Sequence, residues 1–204
     1  MIELMEREAK ARKAPIYTLR EIKDPFQHLV AALLSSRTRD DATALAVQRL
    51  FSKVKGPKEL AEMDVNEIEE LIKGVGFYRV KAKRLKELAR KIVEEYNSRV
   101  PLNFEELVKL PGIGRKSANV VLVYLGIPAI PVDTHVHRIS NRLGLVETKR
   151  VEDTEERLKK IFPTEMWEKV NKAFVGFGQT VCKPQKPLCE ECPLSEICPK
   201  IGVS

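Results

Sequence analysis

Leu110-Pro-Gly-Ile-Gly-Arg-Lys-Ser-Ala-Asn-Val-Val121 is the stretch that decides how this chain is read. The residues before it, Asn103-Phe-Glu-Glu-Leu-Val-Lys-Leu110, predict a short helix. Asn103 is its cap, Glu106 closes a capping box, and Leu102 staples onto Leu107. Pro111 and Gly112 end that helix. Gly112, Ile113 and Gly114 then form a tight turn, and its two glycines leave the backbone N–H groups uncovered, so an anion can approach closely. A second helix starts near Arg115, and the positive end of its dipole falls at the same place. Helix, bare turn and helix together look like a grip for a phosphate, such as one of DNA.

Lys116 stands in the first turn of that second helix. Ala118, Val121, Leu122 and Leu125 form one apolar stripe, and Val120 and Val123 lie opposite, which predicts a helix buried all round. Lys116 projects on the Val120/Val123 side. It is therefore expected to be partly desolvated, close to helix N–H dipoles and beside Arg115, and each of these leaves more nucleophilic free amine. The same local pattern also suits a lysine that only neutralises phosphate charge.

Further helix signals surround this core. Asp24-Pro-Phe-Gln27 is a capping box with proline at the first helical position, leading into Leu29, Val30, Leu33 and Leu34. Ala44, Val47, Leu50 and Phe51 recur at helical spacing. Asp64 and Glu67 make another box, with Met63 stapled to Ile68. From Tyr78 to Tyr96 a stripe of Ala82, Leu85, Ala89, Ile92 and Tyr96 faces away from Lys83, Arg84, Lys86, Lys91 and Glu94. Asp153 and Glu156 open a helix that Pro163 stops, and Thr164 opens one holding Trp167, Phe174 and Val175. No run alternates with a period of two between hairpin turns. The expected fold class is all-α. Gly74-Val75-Gly76 echoes Gly112-Ile113-Gly114, as a second phosphate grip or as a packing repeat.

All four cysteines, Cys182, Cys189, Cys192 and Cys198, fall in one short segment with the spacing C-x6-C-x2-C-x5-C. A disulfide framework would spread them through a small secreted chain. Four clustered thiolates can hold one zinc ion or one 4Fe–4S cluster, and the spacing alone leaves both open. Pro184, Pro187, Pro193 and Pro199 stiffen the loops between them.

At 204 residues the chain can build one large core or two modest ones. Its formal charge of +7 and pI near 9.2 point to a polyanionic partner. No stretch reaches the roughly 18 apolar residues of a membrane span, so no membrane partner is expected. Met1-Ile-Glu-Leu-Met-Glu-Arg-Glu shows no apolar targeting segment, and the expected location is the cytoplasm, associated with the nucleoid.

Beyond the glycine turn comes Pro131-Val-Asp-Thr-His-Val-His-Arg138. The pairing of Leu-Pro-Gly-Ile-Gly-Arg-Lys-Ser-Ala with this segment resembles the endonuclease III family of DNA glycosylases. That group is defined by a helix–hairpin–helix followed by a Gly/Pro-rich stretch and an aspartate. The resemblance runs from about residue 20 to the cysteines. It implies that Lys116 attacks the sugar C1′ and that Asp133 assists. It also implies a 4Fe–4S cluster on Cys182, Cys189, Cys192 and Cys198, with Lys183 and Lys186 in a basic loop facing DNA. Gly112, Ile113, Gly114 and Arg115 would hold the phosphate. The implied architecture is a helical barrel over residues 23–132 carrying the hairpin, a discontinuous cluster domain of residues 1–22 and 133–204, and a cleft between them. The implied activity is that of a bifunctional DNA glycosylase and abasic-site lyase of base excision repair. Such an enzyme would remove oxidised pyrimidines such as thymine glycol from double-stranded DNA and act as a monomer.

Asp133 also suits an ordinary helix cap, which is compatible with catalysis. His135 and His137 sit two apart and face differently on a helix, so they read as structural. The chain departs from the family at Leu33-Leu-Ser-Ser-Arg-Thr-Arg-Asp40, where bacterial relatives usually carry glutamine in place of Arg37. A guanidinium there can fill the gap left by an extruded base or can anchor a phosphate. Two other functions fit the same motifs: a monofunctional adenine or mismatch glycosylase, whose members usually lack lysine at the Lys116 position, and a non-catalytic DNA-binding module.

Overall fold

The computed structural model describes residues 1–17 and 24–203. Among them every regular element is helical: α1 Ile2–Ala11, α2 Pro25–Ser35, α3 Asp40–Phe51, α4 Pro57–Glu62, α5 Val65–Leu71, α6 Tyr78–Tyr96, α7 Phe104–Leu107, α8 Arg115–Tyr124, α9 Thr134–Arg142, α10 Val151–Ile161 and α11 Trp167–Thr180. Single 3-10 turns precede α2 and α11, at Pro15–Tyr17 and Thr164–Met166. The fold is all-α, as periodicity and capping predict. The chain divides into two compact units, Leu19–Ile127 and the pairing of Met1–Thr18 with Pro128–Ser204. The boundary expected at residues 22–23 lies outside the described residues.

In the first of these units α2 packs on α3 and α8, while α4 and α5 pack on α6. Asp24 caps α2 by accepting from Gln27 N at 2.8 Å, with Pro25 in the first helical position. The helix then buries Phe26, Leu29, Val30, Leu33 and Leu34. In α3 the buried stripe is Thr43, Ala46, Val47 and Leu50. Ala44, expected in that stripe, is exposed. In α6 the expected Ala82, Leu85, Ala89 and Ile92 are buried, joined by Leu88 and by Lys81.

Asn103 caps α7 by accepting from Glu106 N at 2.9 Å. The other half of the expected box does not form, because the Glu106 carboxylate is engaged elsewhere. It accepts from Tyr96 Oη at 2.5 Å and Lys109 Nζ at 2.7 Å. The staple is also absent: Leu107 is buried, but Leu102 is 63% exposed.

In the second unit α1 lies against α11 and α9 packs on both α10 and α11. The core holds Phe174, Phe177, Val136, Ile139, Leu158 and Val170, with Met5 from α1. A Cβ at Gly176 would stand 2.6 Å from Tyr17 Cε2 and 3.0 Å from Ala9 Cβ, so the close approach of α1 to α11 needs a residue without one. The α10 helix begins at Val151 instead of after Asp153. Thr154 N bonds to Arg150 O at 3.2 Å, which makes Arg150 the cap, three residues before Asp153, and places Asp153 inside the first turn. Pro163 follows Phe162 at the end of this helix, and Trp167 Nε1 donates back to Phe162 O at 2.8 Å.

Candidate functional site

The turn between α7 and α8 is held by its own backbone. Leu110 N donates to Leu107 O and Ile113 N to Leu110 O, both at 3.1 Å. Gly112 adopts φ +78°, and a Cβ there would stand 2.9 Å from Leu33 Cδ1. Glycine is therefore required on two counts. Gly114 is extended, opens α8, and has nothing within 4 Å of where a Cβ would be. The N–H groups of Gly112 and Gly114 make no hydrogen bond among the described residues, so they stay available to an anion. Ile113 differs from expectation. Its side chain is 4% exposed and its N–H is used inside the turn, so it anchors the loop and does not itself reach a ligand. The Arg115 guanidinium lies 5.1 Å from the centre of the Phe104 ring and ties the two helices together.

Lys116 is exposed. The helix carrying it buries Ala118, Asn119, Val121 and Leu122, whereas Val120 and Val123 are only half-buried. The expectation of a helix covered on all sides fails for this reason: the second apolar side remains partly open, and Lys116 projects from it. Its reach toward a ligand gains from this. The burial expected to favour the free amine is absent.

Asp133 belongs to the other unit and is half-buried at the start of α9. Its Oδ1 accepts from His135 N at 2.9 Å and Val136 N at 3.0 Å. Both capping bonds fall on one oxygen, which fixes the carboxylate plane and leaves Oδ2 for another partner. His137 Nδ1 bonds Thr154 Oγ1 at 2.6 Å, and His135 Nδ1 lies 3.2 Å from Arg138 Nη2. Both histidines are bound into the unit's own packing.

Arg37 is exposed, adopts φ +51°, and stands with its guanidinium 5.8 Å from the Phe77 ring centre. Phe77 itself is 63% exposed and left-handed, at φ +58°. Phe77 belongs to no motif, and its one signal in the sequence is an apolar aromatic placed directly after Gly74-Val75-Gly76. That turn serves packing: Gly76 N donates to Thr38 Oγ1 at 3.1 Å, and a Cβ on Gly76 would meet Arg37 O at 2.5 Å.

Cys182, Cys189, Cys192 and Cys198 are free thiols that line one pocket, together with Phe177 and Leu188. Among the described residues no three His, Cys, Asp or Glu side chains are drawn close enough to hold a single metal ion. The sulfurs ring the pocket instead. Donors point at three of them: Arg142 Nη1 at 3.5 Å from Cys182 Sγ, Leu194 N at 3.4 Å from Cys192 Sγ, and Lys200 N at 3.4 Å from Cys198 Sγ. Burial pushes the Cys192 thiol up, although the Leu194 N–H opposes this. A bound metal overrides that preference by taking the thiolate. Arg142 is 8% exposed and also donates to Lys183 O at 2.6 Å and Pro184 O at 2.9 Å, so it holds the loop as well as the sulfur. A ring of four thiols with N–H donors on the sulfurs fits an iron–sulfur cluster. Lys183 and Lys186 are exposed on the loop between the first two cysteines.

Residues 30–164 match the HhH-GPD superfamily of base excision DNA repair proteins, and residues 182–198 match the iron–sulfur binding domain of endonuclease III. Endonuclease III of Thermotoga maritima is 52% identical over 177 residues, 86% of this chain and 83% of that protein. The chain belongs to the endonuclease III family. Endonuclease III of Bacillus subtilis is 42% identical, over 86% of this chain and 81% of its own length. Among solved structures, a non-covalent endonuclease III–DNA complex is similar with a TM-score of 0.85 at 35% identity, over 98% of this chain and 96% of that one. A trapped endonuclease III–DNA covalent intermediate is similar to the same degree. As a member of the endonuclease III family the chain is a DNA-binding enzyme of base excision repair, a DNA glycosylase and abasic-site lyase with a 4Fe–4S cofactor. Among the described residues no helix is long and apolar enough to cross a membrane.

Proposed function

We propose that the chain removes oxidised pyrimidines such as thymine glycol from duplex DNA, with Lys116 as nucleophile and Asp133 as its electrostatic partner. One observation carries this reading. A turn with the unspent N–H groups of Gly112 and Gly114 sits directly before an exposed lysine amine in the first turn of α8. A phosphate held by the turn places the neighbouring sugar within reach of that amine.

The steps follow from the groups present. Gly112, Gly114 and Arg115 hold the backbone, and the damaged nucleotide leaves the stack, at least cost where pairing is already weakened. Arg37, with Phe77 beside it, enters the gap. The Lys116 amine attacks C1′ as the bond to the base breaks, and the base departs with its electron pair and takes a proton. The Asp133 carboxylate stabilises positive charge on the sugar during this step. The sugar ring opens to an iminium on Lys116. Loss of a C2′ proton then breaks the C3′–O bond and releases the 3′ phosphate, cutting the strand by β-elimination. Cys182, Cys189, Cys192 and Cys198 would hold the 4Fe–4S cluster, which cross-links their loop when bound and so presents Lys183 and Lys186 to DNA. The proposed architecture is a hairpin-bearing barrel and a discontinuous cluster domain. A monomer in the cytoplasm, associated with the nucleoid, completes the reading, and the charge of +7 supports it.

Borohydride reduction with DNA containing an abasic site tests the mechanism. The unaltered protein is expected to give a covalent complex. Lys116→Gln is expected to give none and to cut no strand, while still binding DNA through the turn. No complex from the unaltered protein, with base release intact, would assign a monofunctional glycosylase instead. Strand cutting by Lys116→Gln at the unaltered rate would remove Lys116 from the chemistry.

A further inference from the structure

Lys81 is a cation only 5% exposed, near the start of α6. Neither burial nor the positive end of the helix dipole favours an ammonium there. Its Nζ donates to Leu34 O at 2.8 Å, Ser36 O at 2.5 Å and Thr38 Oγ1 at 3.0 Å. All three acceptors are neutral, and all belong to one short segment closing α2. Burial, with a smaller push from Arg84, brings the Lys81 pKa down to about 8. The three acceptors pull the other way, since each favours the protonated form.

That segment is a tight turn built around Arg37. Thr38 N donates to Ser35 O at 3.1 Å, Ser36 has φ −56° and ψ 119°, and Arg37 has φ +51°. These are the dihedrals of a type II turn, whose third residue enters the left-handed region and is glycine by preference. Arginine at that position is strained. Type I and type II turns differ by a flip of the central peptide, here the one joining Ser36 to Arg37. In the type I form the Ser36 carbonyl points the opposite way and Arg37 returns to right-handed geometry. Lys81 binds that very carbonyl. Gly76 braces the far side, through its N–H on Thr38 Oγ1 and its lack of a Cβ against Arg37 O.

We propose that Lys81 is a positioning residue for the repair reaction: by clamping the Ser36 carbonyl it locks the turn as type II and so aims the Arg37 guanidinium outward beside Phe77. The functional half of this rests on the reading of Arg37 as the group that enters the gap. A lysine that merely supported α2 would need only the Leu34 carbonyl, which is one of the helix's orphan acceptors.

Two measurements test it. The first is hydrogen exchange of a peptide covering residues 34–39 in Lys81→Met. Faster exchange confined to this segment and to Gly76 is expected, and unchanged exchange overturns the clamp whatever Arg37 does. The second is single-turnover excision opposite each of the four bases, for Lys81→Met, Arg37→Ala and the double variant. Lys81→Met is expected to slow excision on the order of ten- to a hundredfold, the scale of a group displaced by about an ångström, and to flatten the opposite-base preference as Arg37→Ala does. The double variant is expected to be no worse than Arg37→Ala alone, because one residue acts through the other. Multiplying losses, or an intact base preference in Lys81→Met where Arg37→Ala has lost it, overturns the proposal. An intact preference in Arg37→Ala refutes the gap-entering role of Arg37 and the functional half with it, while exchange still decides the clamp. Should Lys81→Met fail to fold, Lys81→Gln keeps a shorter, neutral donor, leaves the Thr38 hydroxyl in place, and is expected to show the same flattening with a smaller loss.

Discussion

Replacing Asp133 by asparagine separates the two duties its geometry combines. Both capping bonds, from His135 N at 2.9 Å and Val136 N at 3.0 Å, end on Oδ1. The asparagine carbonyl oxygen can take that place, so the cap survives and stability should fall by only a few tenths of a kcal/mol, about the spread among good caps. Alanine removes both bonds and should cost about 1 kcal/mol, or about 2–4 °C in melting temperature for a chain of this size. The charge is a separate matter. Losing one aligned electrostatic stabiliser costs about a hundredfold or more in turnover, equivalent to about 2.7 kcal/mol of transition-state stabilisation. Single-turnover release of thymine glycol, with enzyme saturating, and thermal melts of Asp133→Asn and Asp133→Ala give the two scales. Both variants should lose about two orders of magnitude or more in rate, yet only alanine should melt clearly lower. An asparagine variant at the unaltered rate, or rates that rank with melting temperature, would reduce Asp133 to a cap.

Two further outcomes are expected. The purified protein should be yellow-brown and carry about four irons per chain, and Cys198→Ser should lower the iron content; colourless protein with one zinc would refute the cluster. The Glu106 carboxylate is held below the usual range, first by Lys109 and then by Tyr96. Its contribution to stability is therefore complete above the unfolded value near about 4.3 and is lost as pH falls through the lower folded value. The melting-temperature advantage of the unaltered protein over Glu106→Gln should shrink between about pH 7 and about pH 3; an advantage that stays constant would contradict the bonds from Lys109 and Tyr96.

What could be read from the sequence was local. Asp24, Asn103 and Asp133 each accept from a backbone N–H two or three residues on, and such bonds depend on little besides their own turn. The cysteines were legible because their ligand spacing is compressed into one loop. Errors came wherever a distant group decided the outcome. The spacing predicts Glu106 as the return half of a box, but Tyr96 and Lys109 take its carboxylate. Lys116 is expected to be partly desolvated because Val120 and Val123 are apolar, and apolarity does not say whether a neighbour covers them. Arg142, which donates to Cys182 from far off in the sequence, carried no local mark. Nor did Lys81, since its partners are carbonyls, and any residue supplies a carbonyl.

The pairing of α1 with α11 bears on the order of assembly during synthesis. Met5 and Ala9 are fully buried, yet the helix that covers them is made much later. Until then α1 is a ten-residue helix, too short to persist in water by itself. The segment Leu19–Ile127 is contiguous and has its own core, so it can close while the ribosome is still extending the chain. The cysteines emerge only after α11. Synthesis thus delivers the hairpin between α7 and α8 first, then the helix that recruits α1, and only then the sulfur ligands. Iron supply acts last, on a chain whose Leu19–Ile127 unit is already complete.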